Sequence, residues 1–269
     1  MYKRDGMILS GRKNSDSKLS AYLYSYKAIF GYGYLGSGVN YVSMTNLVGN
    51  TGVVAADTTG VGTARFYLAA AGYGGDKAIF GYGYTATHVS MTNKVDNTGV
   101  VATDTTGVGT LRYGLAAAGY GGDKAIFGYG NNHGVGAVSV TNKVDNTGTV
   151  ATDTTGVGTI RYNLAAAGYG GDRAIFGYGL SNASVALSVT NKVDNTGTVV
   201  EDTSGAGTSR ELLAAANYGT DKAIFGYGQK AGAHYTITNL VSNTGVVASD
   251  TTGVGTPRQG LAAASYGRS

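Results

Sequence analysis

Acid, base and nucleophile chemistry has few residues to draw on in this sequence. Histidine occurs three times, at His88, His133 and His234, and glutamate twice, at Glu201 and Glu211. The histidines fall in separate segments with no second ligand at hairpin or helical spacing, so no zinc site is expected. Glycoside hydrolysis needs two carboxylates facing one bond. Glu211 stands alone in that role, and Glu201 sits beside Asp202 without an evident function. Nor do the residues outside the repeated segments supply a Ser–His–Asp set. With no cysteine, thiolate nucleophiles, thiolate metal ligands and disulfides are excluded. The segment GYGGD (119–123) has the composition of a calcium-binding Gly/Asp repeat but lacks the tandem nonapeptides that such a site needs. The expectation is a protein without enzymatic activity and without a cofactor.

Recognition chemistry is better supplied. Ten of the 21 tyrosines recur at fixed places: Tyr32, Tyr82, Tyr129, Tyr178 and Tyr227, then Tyr73, Tyr120, Tyr169, Tyr218 and Tyr266. Such regularity predicts packing between repeated units, with each hydroxyl finding a partner. Tyr34, Tyr41, Tyr84 and Tyr235 stand outside the pattern and are candidate ligand contacts. His88, His133 and His234 join them, as do Asn131, Asn132, Asn182, Gln229 and Lys230. Five arginines, Arg65, Arg112, Arg161, Arg210 and Arg258, each follow Thr45, Thr92, Thr141, Thr190 or Thr238 by 20 residues. They could ring the mouth of a channel and attract an anionic sugar. The preferred reading is structural: each pairs with the Asp eight residues before it, at 57, 104, 153, 202 and 250.

The elements that must position these residues come from one repeated phrase. KAIFGYG begins at 27, 77, 124 and 222, and RAIFGYG at 173. From each repeated Thr to the next phrase is 32 residues every time, whereas the stretch between phrase and Thr varies through 12, 9, 11, 11 and 10. Only one loop changes length. Four strand-like runs with turns between them make up a unit. They are run a (LRYGLAAAGY), run b (KAIFGYG), run c (HVSMTNKV) and run d (VVATDT), with DNTG closing a tight hairpin between c and d. A four-stranded antiparallel unit repeated five times predicts an all-β, five-bladed β-propeller. Thr238 plus 32 falls one residue past Ser269, so PRQGLAAASYG (257–267) is expected to pair with residues 27–33 and close the first blade. Residues 1–26 form an N-terminal arm or a decayed strand, and 27–269 the propeller.

Antiparallel order puts the a–b and c–d turns at one end of the strands and the b–c and d–a loops at the other. The first end is nearly invariant among copies. At the second, the b–c loops differ throughout and the d–a junctions vary around the fixed Arg: ARFY, LRYG, IRYN, SREL and PRQG. A divergent face on a regular scaffold is the candidate recognition surface.

The succession R-x-x-L-A-A-A, a turn, then A-I-F-G-Y-G resembles the kelch repeat, over residues 27–269. Gly-Tyr-Gly stands where kelch has paired glycines, and the kelch Trp is missing. In style the array is similar to kelch-like propellers in virion and tail proteins of tailed bacteriophages. That resemblance implies a virion protein binding a host-surface glycan or protein, or a structural virion component docked on other virion proteins through residues 1–26. The net charge of +4 is spread along the repeat, which argues against a nucleic-acid partner. No apolar run is long enough to span a membrane, and the charged N-terminus does not read as a signal peptide.

Overall fold

The structure is a computed structural model and describes residues 28–265 apart from Ser37, Val39 and Asn50. The proposed arm at 1–26, Tyr266 and the end of the closing run lie outside the described residues. Contacts divide the rest into two compact units, one of residues 28–31 with 44–59 and one of residues 32–43 with 60–265.

Among the described residues the chain is all-β, without a helix. The first copy supplies β1 (Ala28–Tyr34) and β2 (Tyr41–Val48). In the second are β3 (Ala69–Tyr73), β4 (Lys77–Tyr84) and β5 (His88–Val95). The third holds β6 (Ala116–Tyr120), β7 (Lys124–Gly128), the short β8 (Asn131–Asn132) and β9 (Gly136–Ala137), and β10 (Thr141–Val144). The fourth has β11 (Ala165–Tyr169), β12 (Arg173–Leu180) and β13 (Ala186–Val193). Last come β14 (Ala214–Tyr218), β15 (Lys222–Gly226), β16 (Gln229–Lys230), β17 (Ala233–His234) and β18 (Thr238–Val241). All pairings are antiparallel. The sheets run β3-β4-β5, β6-β7-β10, β11-β12-β13 and β14-β15-β18, with two-stranded β1-β2, β8-β9 and β16-β17.

Runs a, b and c thus form strands, and run d does not. It touches run c at two isolated bridges per copy, such as Val95 with Val101 and Thr92 with Thr105. Side chains take the place of a full ladder: Asn93 Nδ2 donates to Ala102 O at 3.0 Å and to Asp104 at 2.9 Å. The hairpin before it forms as the sequence predicts. Asp96 Oδ1 accepts from Thr98 N at 2.8 Å and Val100 N at 3.0 Å, and Gly99 takes φ 90°. Among the described residues the expected closing strand is not formed either. Residues 257–265 carry no strand, and β1 has β2 as its sole strand neighbour among the described residues.

The core lies between successive sheets. One cluster packs Tyr73, Ile79 and Tyr82 against Leu115, Phe127 and Val144, and the next two repeat it one copy further on. The first glycine of each GYG is what lets the sheets approach. A Cβ on Gly81 would sit 2.7 Å from Phe127 Cζ, and one on Gly128 would sit 2.7 Å from Phe176 Cζ. Phe127, Phe176 and Phe225 are fully buried in consequence. The tyrosine between the glycines takes φ of 63–65° in all five copies. This left-handed residue shifts the strand register at β4 and β12 and turns its ring into the seam.

Candidate binding face

The repeated arginines are seam residues. Arg65, Arg112, Arg161 and Arg210 are fully buried, which is at odds with a ring open at a channel mouth. Each guanidinium covers the tyrosine ring of the preceding copy, Arg112 over Tyr82 at 4.1 Å and Arg161 over Tyr129 at 4.0 Å. Arg112 also donates to Asn142 Oδ1 and, at 3.0 Å, to Thr110 O. Its carboxylate neighbour is Asp153, in run d of the same copy, at 3.9 Å, and Arg65 and Arg161 likewise face Asp104 and Asp202. The pairing with the Asp eight residues earlier is therefore corrected: each of these arginines faces the run d carboxylate of its own copy, and Asp153 also accepts from Thr110 N and Oγ1. Arg258, at the end of the array, is exposed and lies 3.9 Å from the Tyr227 ring centroid.

Of the periodic tyrosines, Tyr73, Tyr82, Tyr120, Tyr129, Tyr169 and Tyr178 pack into the core clusters as the sequence predicts, whereas Tyr218 is exposed. Tyr82, Tyr129 and Tyr178 are fully buried and donate their hydroxyls to Val108 O, Val157 O and Ala206 O. Burial pushes their phenols up to about 12.

The variable residues assemble through one repeated bridge. The residue after each fixed Arg pairs with the residue after each GYG: Phe66 with Tyr84, Tyr113 with Asn131, Tyr162 with Leu180, Glu211 with Gln229. The d–a and b–c segments are thereby laid side by side in every copy from the second to the fifth. In the second copy β4 and β5 end with Tyr84 opposite His88. In the third, β8 and β9 carry His133 between them.

These placements build a continuous aromatic run. Tyr34 and Tyr41 lie 5.4 and 4.9 Å from Phe66, which lies 5.6 Å from Tyr84. Tyr84 is 5.5 Å from His88, and His88 is 4.8 Å from Tyr113 and 5.3 Å from His133. Tyr113 continues to Tyr67 at 5.7 Å and Tyr162 at 6.3 Å. A cavity of about 550 Å³ opens over its middle, bounded by Tyr67, Tyr84, His88, Tyr113 and the 131–136 loop. Burial, and then His133, holds the His88 imidazole below its ordinary range.

Of the candidates taken from sequence, Tyr34, Tyr41, Tyr84, His88, Asn131, Asn132 and His133 gather at this run and its cavity. Asn132 is tied down by Leu111 O at 2.8 Å. Asn182 braces the same loop by accepting from Ala137 N at 2.5 Å. Gln229 belongs elsewhere: it donates to Glu211 Oε1 at 3.0 Å, while Asn163 donates to Oε2 at 2.9 Å. Glu211 is thus buried with both oxygens engaged, and Glu201 is exposed. Lys230 and His234 are exposed at the last hairpin, and Tyr235 is half-buried beside them. Phe66, Tyr67, Tyr113 and Tyr162 are site residues that sequence reasoning passed over. Their signal was their place one or two residues after the fixed Arg, where copies diverge.

Among the described residues no group of three or more His, Asp or Glu is placed to hold a metal, and no helix is long and apolar enough to cross a membrane. No protein-family model matches the chain, and no curated protein sequence matches it.

Proposed function

We propose that this chain is a non-enzymatic binding module, a five-copy kelch-like propeller that recognises a host-surface glycan or protein through its variable loops. Its setting is a tailed-phage virion appendage, with residues 1–26 docking on other virion proteins. One observation carries the binding reading. The two segments that diverge between copies are bridged together, and their aromatic side chains form one run over a cavity. Side chains of this kind, partly exposed and rigidly backed, are suited to sugar faces and protein anchors alike. Tyr34 and Tyr67, 45% and 47% exposed, offer open ring surface to such a partner.

A glycan array and depletion by intact bacterial cells test the function. The expected result is binding that is lost when 131–137 and 84–88 are exchanged for the corresponding loops of the fourth copy. Binding that survives the exchange, or no binding to any glycan or cell, overturns the reading.

A further inference from the structure

His88 is 7% exposed, and neither ring nitrogen has a hydrogen-bond partner among the described residues. Buried polar groups are rarely left this way unless something else completes them. The scaffold itself does not ask for the imidazole. Four residues before the repeated Thr, where His88 stands, the third and fourth copies have Ala137 and Ala186, and their strands form normally. His234 has the same register in the fifth copy and is exposed. The polar ring at 88 is therefore particular to one cavity, the one edged by Tyr84 and Tyr113.

That cavity has a distinct chemistry. Its volume of about 550 Å³ lies within the usual range of small-molecule sites, roughly 300–1,000 Å³. No Asp, Glu, Lys or Arg is among the residues that bound it. The polar groups on offer are phenol hydroxyls, the amides of Asn131 and Asn132, and two imidazoles. Neutral imidazole carries one donor and one acceptor, matching a hydroxyl, which is both. The tyrosine rings supply flat apolar faces for C–H groups.

We propose that this cavity binds an uncharged pyranose sugar, its face against Tyr84 and Tyr113 and its hydroxyls completing the two nitrogens of His88. The assignment rests on the binding reading above and narrows it: neutral sugars enter, uronic and sialic acids do not, because no cation lines the site to offset desolvation of a carboxylate.

The test is imidazole ¹⁵N NMR of the full chain, titrated with methyl glycosides of glucose, galactose, mannose and N-acetylglucosamine, and with glucuronic and sialic acid. His234 is the internal control. At least one neutral glycoside is expected to shift the His88 nitrogens and leave His234 unmoved. In His88→Phe, which keeps a ring and removes both nitrogens, affinity for that glycoside should fall about tenfold, the worth of one or two hydrogen bonds. The wild-type titration decides the matter even if this variant fails to fold. Shifts at His88 from the acidic sugars alone, or from none, overturn the assignment. Array or cell binding that depends on the exchanged loops while His88 stays silent defeats the sugar site and leaves the binding reading standing. Repeating the titration with the same sugar at the end of an immobilised oligosaccharide separates a free sugar from a glycan terminus, and either result supports the pocket.

Discussion

Arg112 and Tyr82 belong to neighbouring copies, and the guanidinium carbon of one lies 4.1 Å from the ring centroid of the other. Both are fully buried, so the cation has exchanged water for a ring face, Asn142, Thr110 O and the nearby Asp153. Lysine offers a point charge and cannot span this set. Arg112→Lys is expected to lower unfolding stability by about 2–4 kcal/mol, in line with disruption of a buried charge network. Arg258→Lys, at the exposed end, should cost under about 1 kcal/mol. Urea denaturation of the two variants makes the comparison.

The seam glycines are expected to tolerate no added methyl. Gly128→Ala must push a methyl against Phe176, 2.7 Å from the new carbon, and overpacking of this kind costs roughly 1–3 kcal/mol. Gly81→Ala, whose new carbon would meet Phe127 at the same 2.7 Å, should cost as much, and urea denaturation of the two variants checks both.

Acid should loosen the seams in concert. Burial raises the Asp104 carboxyl, but hydrogen bonds from Thr63 and Asn93, with Arg65 near, outweigh it and leave it below the ordinary range. Asp153, Asp202 and Asp250 are depressed in the same way. A carboxylate depressed by folding contributes stability above its unfolded value, about 3.9, and that stability disappears as pH falls through the folded value. The melting temperature should therefore drop steeply below about pH 4. Asp153→Asn should be less stable at pH 7 and show a shallower acid slope.

A second pH window belongs to His88. Its imidazole is depressed by burial and by His133, so the unfolded chain takes up the proton first. Neutral His88 thus contributes stability above about pH 6.5, and the contribution is lost as pH falls through the lower, folded value. Thermal melts from pH 7.5 to 5 should show a flatter dependence in His88→Phe than in the wild type, with the change largest below pH 6.5.

Much of this architecture was legible from period and alternation alone. KAIFGYG, the AAA run and the run ending in TNKV became strands, and DNTG became the hairpin turn, because their signals are local: alternation, turn residues and short spacing. The constant interval from Thr to the next phrase also isolated the loops that carry Tyr84, His88, Asn131 and His133. Run d was overread, since Val101 and Thr105 alternate like a strand, while Ala102 and Asp104 beside them bond to the Asn93 side chain and to the loop at Thr63.

What only the tertiary structure decided is which copy each side chain serves. Arg112 faces Asp153, in run d of its own copy, although Asp104 stands closer to it in sequence. His88 meets His133, and Tyr84 meets Phe66, by the lateral stacking of sheets. A repeated sequence specifies each sheet's internal register many times over. It is silent on the neighbour, because every copy presents the same edges and faces. Contact between copies is settled by shape: a Phe filling the space above a glycine, and a left-handed Tyr turned under an Arg.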